Sequence, residues 1–315
     1  MSGPVLVGDV GGSNARFGLS DGPGQLRDVR SYQAAKHRSF EDAIHSYLAD
    51  VANGGAGFRC QAALIAAAGP VESGQISLTN SPWRIDAEEL QAVIGGGTVR
   101  LFNDLEAVAL VLPHLAESDM KLIGPAIAAP LKGNLLAVNV GTGLGAASAI
   151  ELADGRWTAV ATEAGHMTYA ARTELELELL SGVVSVEDIL SGAGVVRLYE
   201  LLKTGPATEP KDASPTDAAE VFGLSSVDAT ASNVLRIFSD LLARVTGDLV
   251  LAHGAWGGVF LCGSVAKGWS ARANAERFRE VFAAKGKMSN RMQQVSTKFI
   301  LAPEPALAGL TYAGP

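Results

Sequence analysis

The chain has 315 residues, 48% hydrophobic and 18% charged, with a formal net charge of −8. That length predicts two lobes, and the composition excludes an intrinsically disordered chain. The acidic balance excludes nucleic acid or an anionic membrane as main partner, since both reward clustered Lys and Arg, but leaves open small phosphorylated ligands held by backbone N–H groups and a metal.

The opening, MSGPVLVGDVGG, has no basic n-region and no long apolar h-region, so a cytoplasmic protein without a signal peptide is expected. Pro4 to Val10 reads as a buried strand turned by Gly11 and Gly12; Ala15 to Ser20 runs back, Asp21 to Gly24 turns again, and Leu26 to Tyr32 is a third strand. Ser39 caps an amphipathic helix to about Ala52, and Ala62 to Ala68 is a small-residue strand. A hairpin is expected around Ser73-Gly74, then a helix from Asp86 to Val93 and a strand from Val99 to Phe102 that ends at Asn103-Asp104. Cys60 and Cys262 lie in or beside apolar runs and read as reduced, buried thiols.

The second half reopens in the same way. Leu135 to Val140 is a strand, Gly141-Thr142-Gly143-Leu144-Gly145 a turn, and Ala146 to Leu152 and Trp157 to Thr162 a returning pair around Asp154-Gly155. VGDVGGSNARFGLSDG and AVNVGTGLGAASAIELADG thus share strand, glycine turn, strand and Asp-Gly turn about 130 residues apart, as two related lobes would. Thr173 to Leu180 alternates like a strand but is built of strong helix formers, and a helix is expected. Asn233 to Ala252 and Ala271 to Ala284 read as helices, Val259 to Cys262 and Lys298 to Leu301 as strands, and Pro305 to Tyr312 as a short closing helix. The longest apolar runs are broken by glycine or charge well short of a membrane span.

Successive glycines after a strand leave N–H groups pointing outward with no side chain in the way, which suits phosphate oxygens. Asp9, just before the first turn, is placed to hold a hydrated Mg2+ between two phosphates. No P-loop motif occurs. The run from Gly141 to Ala146 fits a loose dinucleotide fingerprint, with Glu163 downstream, but that fingerprint needs a crossover helix and Asp154-Gly155 interrupts too early.

Leu101-Phe102-Asn103-Asp104 places an amide and a carboxylate at a strand end, where α/β proteins keep their chemistry. A sugar hydroxyl is a poor nucleophile until its proton has an acceptor, and Asp104 supplies one. Taken alone, the pair reads first as a cap for the following helix, Leu105 to Leu112, and only second as catalytic. Around it stand Glu163 and His166 in Glu-Ala-Gly-His, Glu187 in SVEDILSG, and Asn80 and Trp83 in LTNSPW, a set able to hydrogen-bond a small polyol. Glu163 and His166 also have a Glu-x-x-His spacing, but a di-metal bundle needs that motif twice. His37, His45, His114 and His253 read as structural.

Seven segments in order, VGDVGGSNARFGL, LTNSPW, LFNDLEAVAL, NVGTGLGAA, EAGHM, SVEDILSGAGV and GGVFLCGSV, resemble the bacterial glucokinase family of the actin, Hsp70 and sugar-kinase superfamily. The resemblance covers almost the whole chain. It implies an α/β fold of two ribonuclease-H-like lobes around a cleft for nucleotide and sugar, which we expect at residues 1–108 plus 300–315 and at 109–299. It also implies ATP-dependent phosphorylation of glucose with Mg2+, and a homodimer. By position, Asp104 would be the base; Asn80, Asn103, Glu163, His166 and Glu187 would hold glucose; and Gly11, Gly12, Ser13, Asn14, Gly141, Thr142 and Gly143 would contact phosphates. Gly263 would lie on the adenosine side.

Two segments depart from the pattern. EAGHM stands where Glu-Gly-Gly-His is usual, and GSVAKG differs from the usual purine-side run. No cysteine lies between Cys60 and Cys262, so the zinc motif of ROK sugar kinases is absent, and too little chain precedes Val5 for the helix-turn-helix of a ROK repressor. A kinase for another hexose, a non-catalytic sugar sensor and a nicotinamide-dependent oxidoreductase are the competing readings; Asp104, Asp9 and the two glycine turns favour the glucose kinase.

Overall fold

The computed structural model describes residues 3–52, 59–78, 83–179, 181–203 and 215–314. They fall into two compact units, one of Met1–Leu115, Ala149–Ala161 and Ala302–Pro315, the other of Ala116–Ser148 and Thr162–Leu301. Helix packing sets the first join. The helix that follows Asn103 runs on to Val111 and packs on the closing helix (Pro305–Leu310), which holds residues to Leu115 in the first unit.

The first unit opens with strands β1 (Val5–Val10), β2 (Asn14–Gly22) and β3 (Gln25–Gln33), then helix α1 (Phe40–Val51). Strand β4 (Ala62–Ala67), the short pair β5 (Gln75–Ser77) and β6 (Arg84–Asp86), helix α2 (Ala87–Val93), strand β7 (Thr98–Asn103) and helix α3 (Asp104–Val111) follow. The main sheet has the order β3-β2-β1-β4-β7. β1 and β2 are antiparallel, whereas β1, β4 and β7 run parallel. Every residue of β4 is buried, as a central parallel strand covered on both faces requires. On α1, Phe40, Ala43, Ile44, Tyr47 and Leu48 form one buried stripe at helical spacing, and the Ser39 hydroxyl caps it by accepting from the Asp42 N–H at 3.2 Å. The stripe packs with Phe17 of β2, whose ring lies 5.8 Å from Phe40 and 5.5 Å from Tyr47.

The second unit contains β8 (Met120–Leu122), β9 (Leu135–Val140), the first part of β10 (Leu144–Glu151), α4 (Glu174–Leu179), α5 (Gly192–Leu202), α6 (Ala218–Leu224) and α7 (Ala229–His253), while the end of β10 and all but the last residue of β11 (Trp157–Thr162) are grouped with the first. Strand β12 (Gly258–Cys262), helices α8 (Ser264–Ser270), α9 (Ala275–Ala283) and α10 (Ser289–Met292), and strand β13 (Thr297–Ile300) complete it. The six-stranded sheet has the order β11-β10-β9-β12-β13-β8, with β9, β12 and β13 parallel. The first five positions repeat the first unit's order, so the duplicated sequence unit is a duplicated topology. Gly141 to Gly143 connect neighbouring strands directly, with no crossover helix, as the early Asp-Gly turn led us to expect. Helix α7 buries one long stripe and stops at Gly254 in the left-handed conformation (φ 59°).

Local differences from the sequence reading have physical causes. Residues 271–284 do not form one helix: α9 starts at Ala275 because Asn274 accepts from the Arg277 N–H at 2.9 Å, and α8 occupies the preceding stretch. The Ser73-Gly74 turn is present, with φ of 50° and 78°, but β5 pairs with β6, leaving only a bridge from Glu72 to Gln75. The sequence reading does not include helices α5, α6, α8 and α10 or strand β8; α6, α8, α10 and β8 span seven residues or fewer, too few to show a periodic face, whereas α5 has a buried stripe that was there to be read. No helix among the described residues is long and apolar enough to cross a membrane.

Candidate active site

In the first unit the parallel strands carry the functional residues to one edge. Register places Asp9 beside Ala66, Ala66 beside Phe102, and Ala67 beside Asn103, so Asp9 and the Asn103-Asp104 pair leave the sheet at the same, C-terminal end. The hairpin after Asp9 is closed by the Gly11 N–H donating to the Asn14 carbonyl at 2.9 Å, and the Ser13 carbonyl accepts from the Ala34 N–H at 2.9 Å. Gly11 and Gly12 are half-buried, and Ser13 and Asn14 are exposed.

Asn103 does cap α3. Its Oδ1 accepts from the N–H groups of Leu105 (2.9 Å) and Glu106 (3.3 Å), and Glu106 Oε2 accepts from the Asn103 N–H at 3.4 Å, a complete capping box. Asn103 Nδ2 donates to the Gly69 carbonyl at 3.3 Å. An amide nitrogen carries two protons, so the bond to Gly69 leaves one for a sugar hydroxyl. Asp104 is the first residue of α3, and its Oδ1 accepts from the Leu105 N–H at 2.9 Å. The cap that competed with a catalytic reading instead fixes both side chains.

Asp9 sits among unbalanced charge. Arg16 Nη1 lies 3.6 Å from Asp9 Oδ2, and Arg16 Nε lies 3.2 Å from Glu304 Oε2. Burial, with repulsion from Asp104 and Glu304, outweighs Arg16 and pushes the Asp9 carboxyl up to about 6. A cation placed there would relieve that repulsion, so the residues fit Mg2+. Among the described residues no three His, Cys, Asp or Glu side chains converge on one metal position.

In the second unit, Glu163 precedes and His166 ends a short 3-10 turn, Ala164–His166, and both are exposed. The chain from Gly165 to Tyr169 pairs with that from Val184 to Glu187: the Glu187 N–H donates to the Gly165 carbonyl, and Val186 to Met167, both at 2.9 Å. This ladder draws Glu187 towards Glu163 and His166, far apart in sequence. Arg244 of α7 braces the intervening excursion through Glu176 at 3.0 Å and the Tyr169 hydroxyl.

The glycine hairpin Gly141 to Gly143 is closed by the Gly141 N–H and the Gly143 carbonyl at 2.9 Å, and the Gly141 carbonyl accepts from the Gly192 N–H at the start of α5, also at 2.9 Å. Ser191 caps α5 through the Gly194 N–H at 3.1 Å. Beside the hairpin opens a pocket of about 800 Å³ with Thr142, Val196, Phe222 and Val265 among its walls and Arg197, Asp217 and Ser264 among its polar groups. Its volume and mixed lining suit a purine nucleoside. Gly263 holds φ 97° against Asn139 and Val140, a position closed to any side chain, and aims α8 at this pocket.

The structure thus groups Asp9, Gly11, Gly12, Ser13, Asn14, Asn103 and Asp104 in one unit, and Gly141, Thr142, Gly143, Glu163, His166, Glu187 and Gly263 in the other. Asn80 lies outside the described residues; Trp83 is buried against Phe40. Arg16, Glu304 and the walls supplied by α5, α6 and α8 were not singled out from sequence; Ser191-Gly192 and Thr216-Asp217, as helix-start signals, were the available clues. His253 is structural, its Nδ1 2.7 Å from the Ser148 hydroxyl, and His114 stacks on Tyr312.

The family model for glucokinase matches residues 6–314. The chain is 34% identical to a glucokinase of Chromobacterium violaceum over 98% of its own length and 88% of the relative's. It is 35% identical to a glucokinase of a Caulobacter species, covering 98% and 94%. Among solved structures, a glucokinase from an Antarctic psychrotroph superposes with a TM-score of 0.84 at 30% identity, covering 99% of each chain.

Proposed function

The chain belongs to the glucokinase family and phosphorylates glucose from ATP, and from that premise we propose which of its residues carry the reaction. Asp104 accepts the proton of the sugar's 6-hydroxyl as its oxygen bonds to the γ-phosphorus; the bond from that phosphorus to the bridging oxygen breaks, and ADP leaves. Asn103, Glu163, His166 and Glu187 bind the remaining hydroxyls, the carboxylates through charge-assisted hydrogen bonds. N–H groups of Gly11 to Asn14 and Gly141 to Gly143 hold phosphate oxygens, and the pocket beside α5, α6 and α8 takes the nucleoside. Mg2+ near Asp9, when bound, neutralises charge on the β- and γ-phosphates.

The observation that carries this reading is the repeated strand–glycine–strand hairpin, once beside Asn103-Asp104 and once beside a nucleoside-sized pocket. The test is a coupled assay for ADP release with and without glucose, run in parallel with mannose, fructose and glucosamine. Glucose-stimulated ADP release is expected; no stimulation by any hexose would overturn the reading. The same resemblance supports a cytoplasmic homodimer. Light scattering is then expected to give about twice the chain's 32.5 kDa, and the mass of a single chain would contradict it.

A further inference from the structure

Glu187 has two structural commitments. Its main chain belongs to the ladder that carries Glu163 and His166, through the Glu187 N–H and the Gly165 carbonyl at 2.9 Å. Its side chain belongs to the phosphate hairpin, because Oε2 accepts from the Leu144 N–H at 2.8 Å. Leu144 is the residue directly after Gly143 and begins β10.

Two glycines make this contact possible. A Cβ on Gly143 would overlap the Glu187 carboxylate, and a Cβ on Gly165 would overlap the Leu144 carbonyl. The Leu144 peptide is therefore held on both sides, its N–H by Glu187 and its carbonyl against the bare backbone of Gly165. Neither glycine has the positive φ that would otherwise account for it, so close approach is the reason for both.

We propose that Glu187, on the kinase reading above, is the link through which nucleotide and sugar bind cooperatively. Phosphate oxygens on the N–H groups of Gly141 to Gly143 hold the hairpin in one arrangement, which fixes the Leu144 N–H. That donor orients one carboxylate oxygen of Glu187 and leaves the other facing the sugar side. Sugar on the free oxygen in turn holds the carboxylate against Leu144. Each ligand favours the same arrangement, so each tightens the other by the same factor.

The test is calorimetric titration of glucose into the intact protein, with and without a saturating non-hydrolysable ATP analogue and Mg2+. The wild type should bind glucose about fivefold or more tightly with the analogue present, a typical coupling. Gly143→Ala displaces the carboxylate but keeps Glu187, and its factor should fall to within about twofold of unity, as should that of Glu187→Asp, which withdraws the carboxylate by one methylene. Glu187→Gln should bind glucose more weakly yet keep the wild-type factor, because an amide oxygen still accepts from Leu144. Three results would overturn the link: equal glucose affinity with and without analogue in the wild type, a wild-type factor in both uncoupling variants, or loss of coupling in Glu187→Gln. A wild type that binds neither ligand would instead sink the kinase reading itself.

Discussion

Asp9 is the residue whose environment is least at ease without ligands. Its carboxyl is raised from 3.8 to about 6, first by burial and then by Asp104. For an acid shifted up on folding, the folded state binds more protons than the unfolded one, so its favourable contribution is full below about pH 4 and is lost as pH rises through about 6. A shift of roughly two units sets an upper bound of about 3 kcal/mol on the cost at neutral pH. Asp9→Asn should therefore melt higher than the wild type at pH 8 in the absence of ligands, with the difference vanishing near pH 4. Parallel melting curves across that range would refute the charge imbalance. At Asn103 two duties separate by experiment. Asn103→Ala should cost about 1 kcal/mol of stability through the lost cap, and should raise the KM for glucose more than the KM for ATP; an equal rise in both would remove Asn103 from the sugar.

Among the elements, α3 matters most, because Asp104 is its first residue. It packs on the closing helix so closely that a Cβ on Gly309 would overlap the Ala107 carbonyl. Gly309→Ala should then lose about 1–3 kcal/mol to overpacking and depress kcat with little change in the KM for ATP, since the base moves and the hairpins do not. Unchanged stability would show the contact to be slack. The elements also show where sequence reading works. The glycine hairpins, α1 with its Ser39 cap and buried stripe, and the strand ending at Asn103-Asp104 were legible, because turn chemistry, capping and periodicity are local. The pocket beside α5, α6 and α8 was not. Its walls come from GAGVV, AAEVF and SVAKG, the start of one helix and two short helices, which become walls only by tertiary packing. The contact of Glu187 with Leu144 was equally hidden, since nothing local ties residues 43 apart.

The molecule as a whole is a repeat with divided labour. Each half of the sequence builds the same order of five strands and the same glycine hairpin, but the first ends a parallel strand in Asn-Asp, and the second adds the helices that wall the pocket. The asymmetry is the functional content. On the proposed reading, one copy would carry the base, Asp104, beside its glycine hairpin, and the other the pocket for the nucleoside together with Glu163, His166 and Glu187. The residue at the position of Asp9 in the second hairpin is Asn139, which carries no charge, so the acidic, cation-seeking character belongs to one copy alone. The account's central claim is that the carboxylate of Asp104 takes the sugar's proton. The most direct test compares Asp104→Ala with the wild type, by kcat in the coupled assay and by calorimetric glucose affinity. The account predicts that kcat falls by about 10²–10⁴ while glucose still binds within several-fold of the wild type; turnover near the wild-type rate would contradict it.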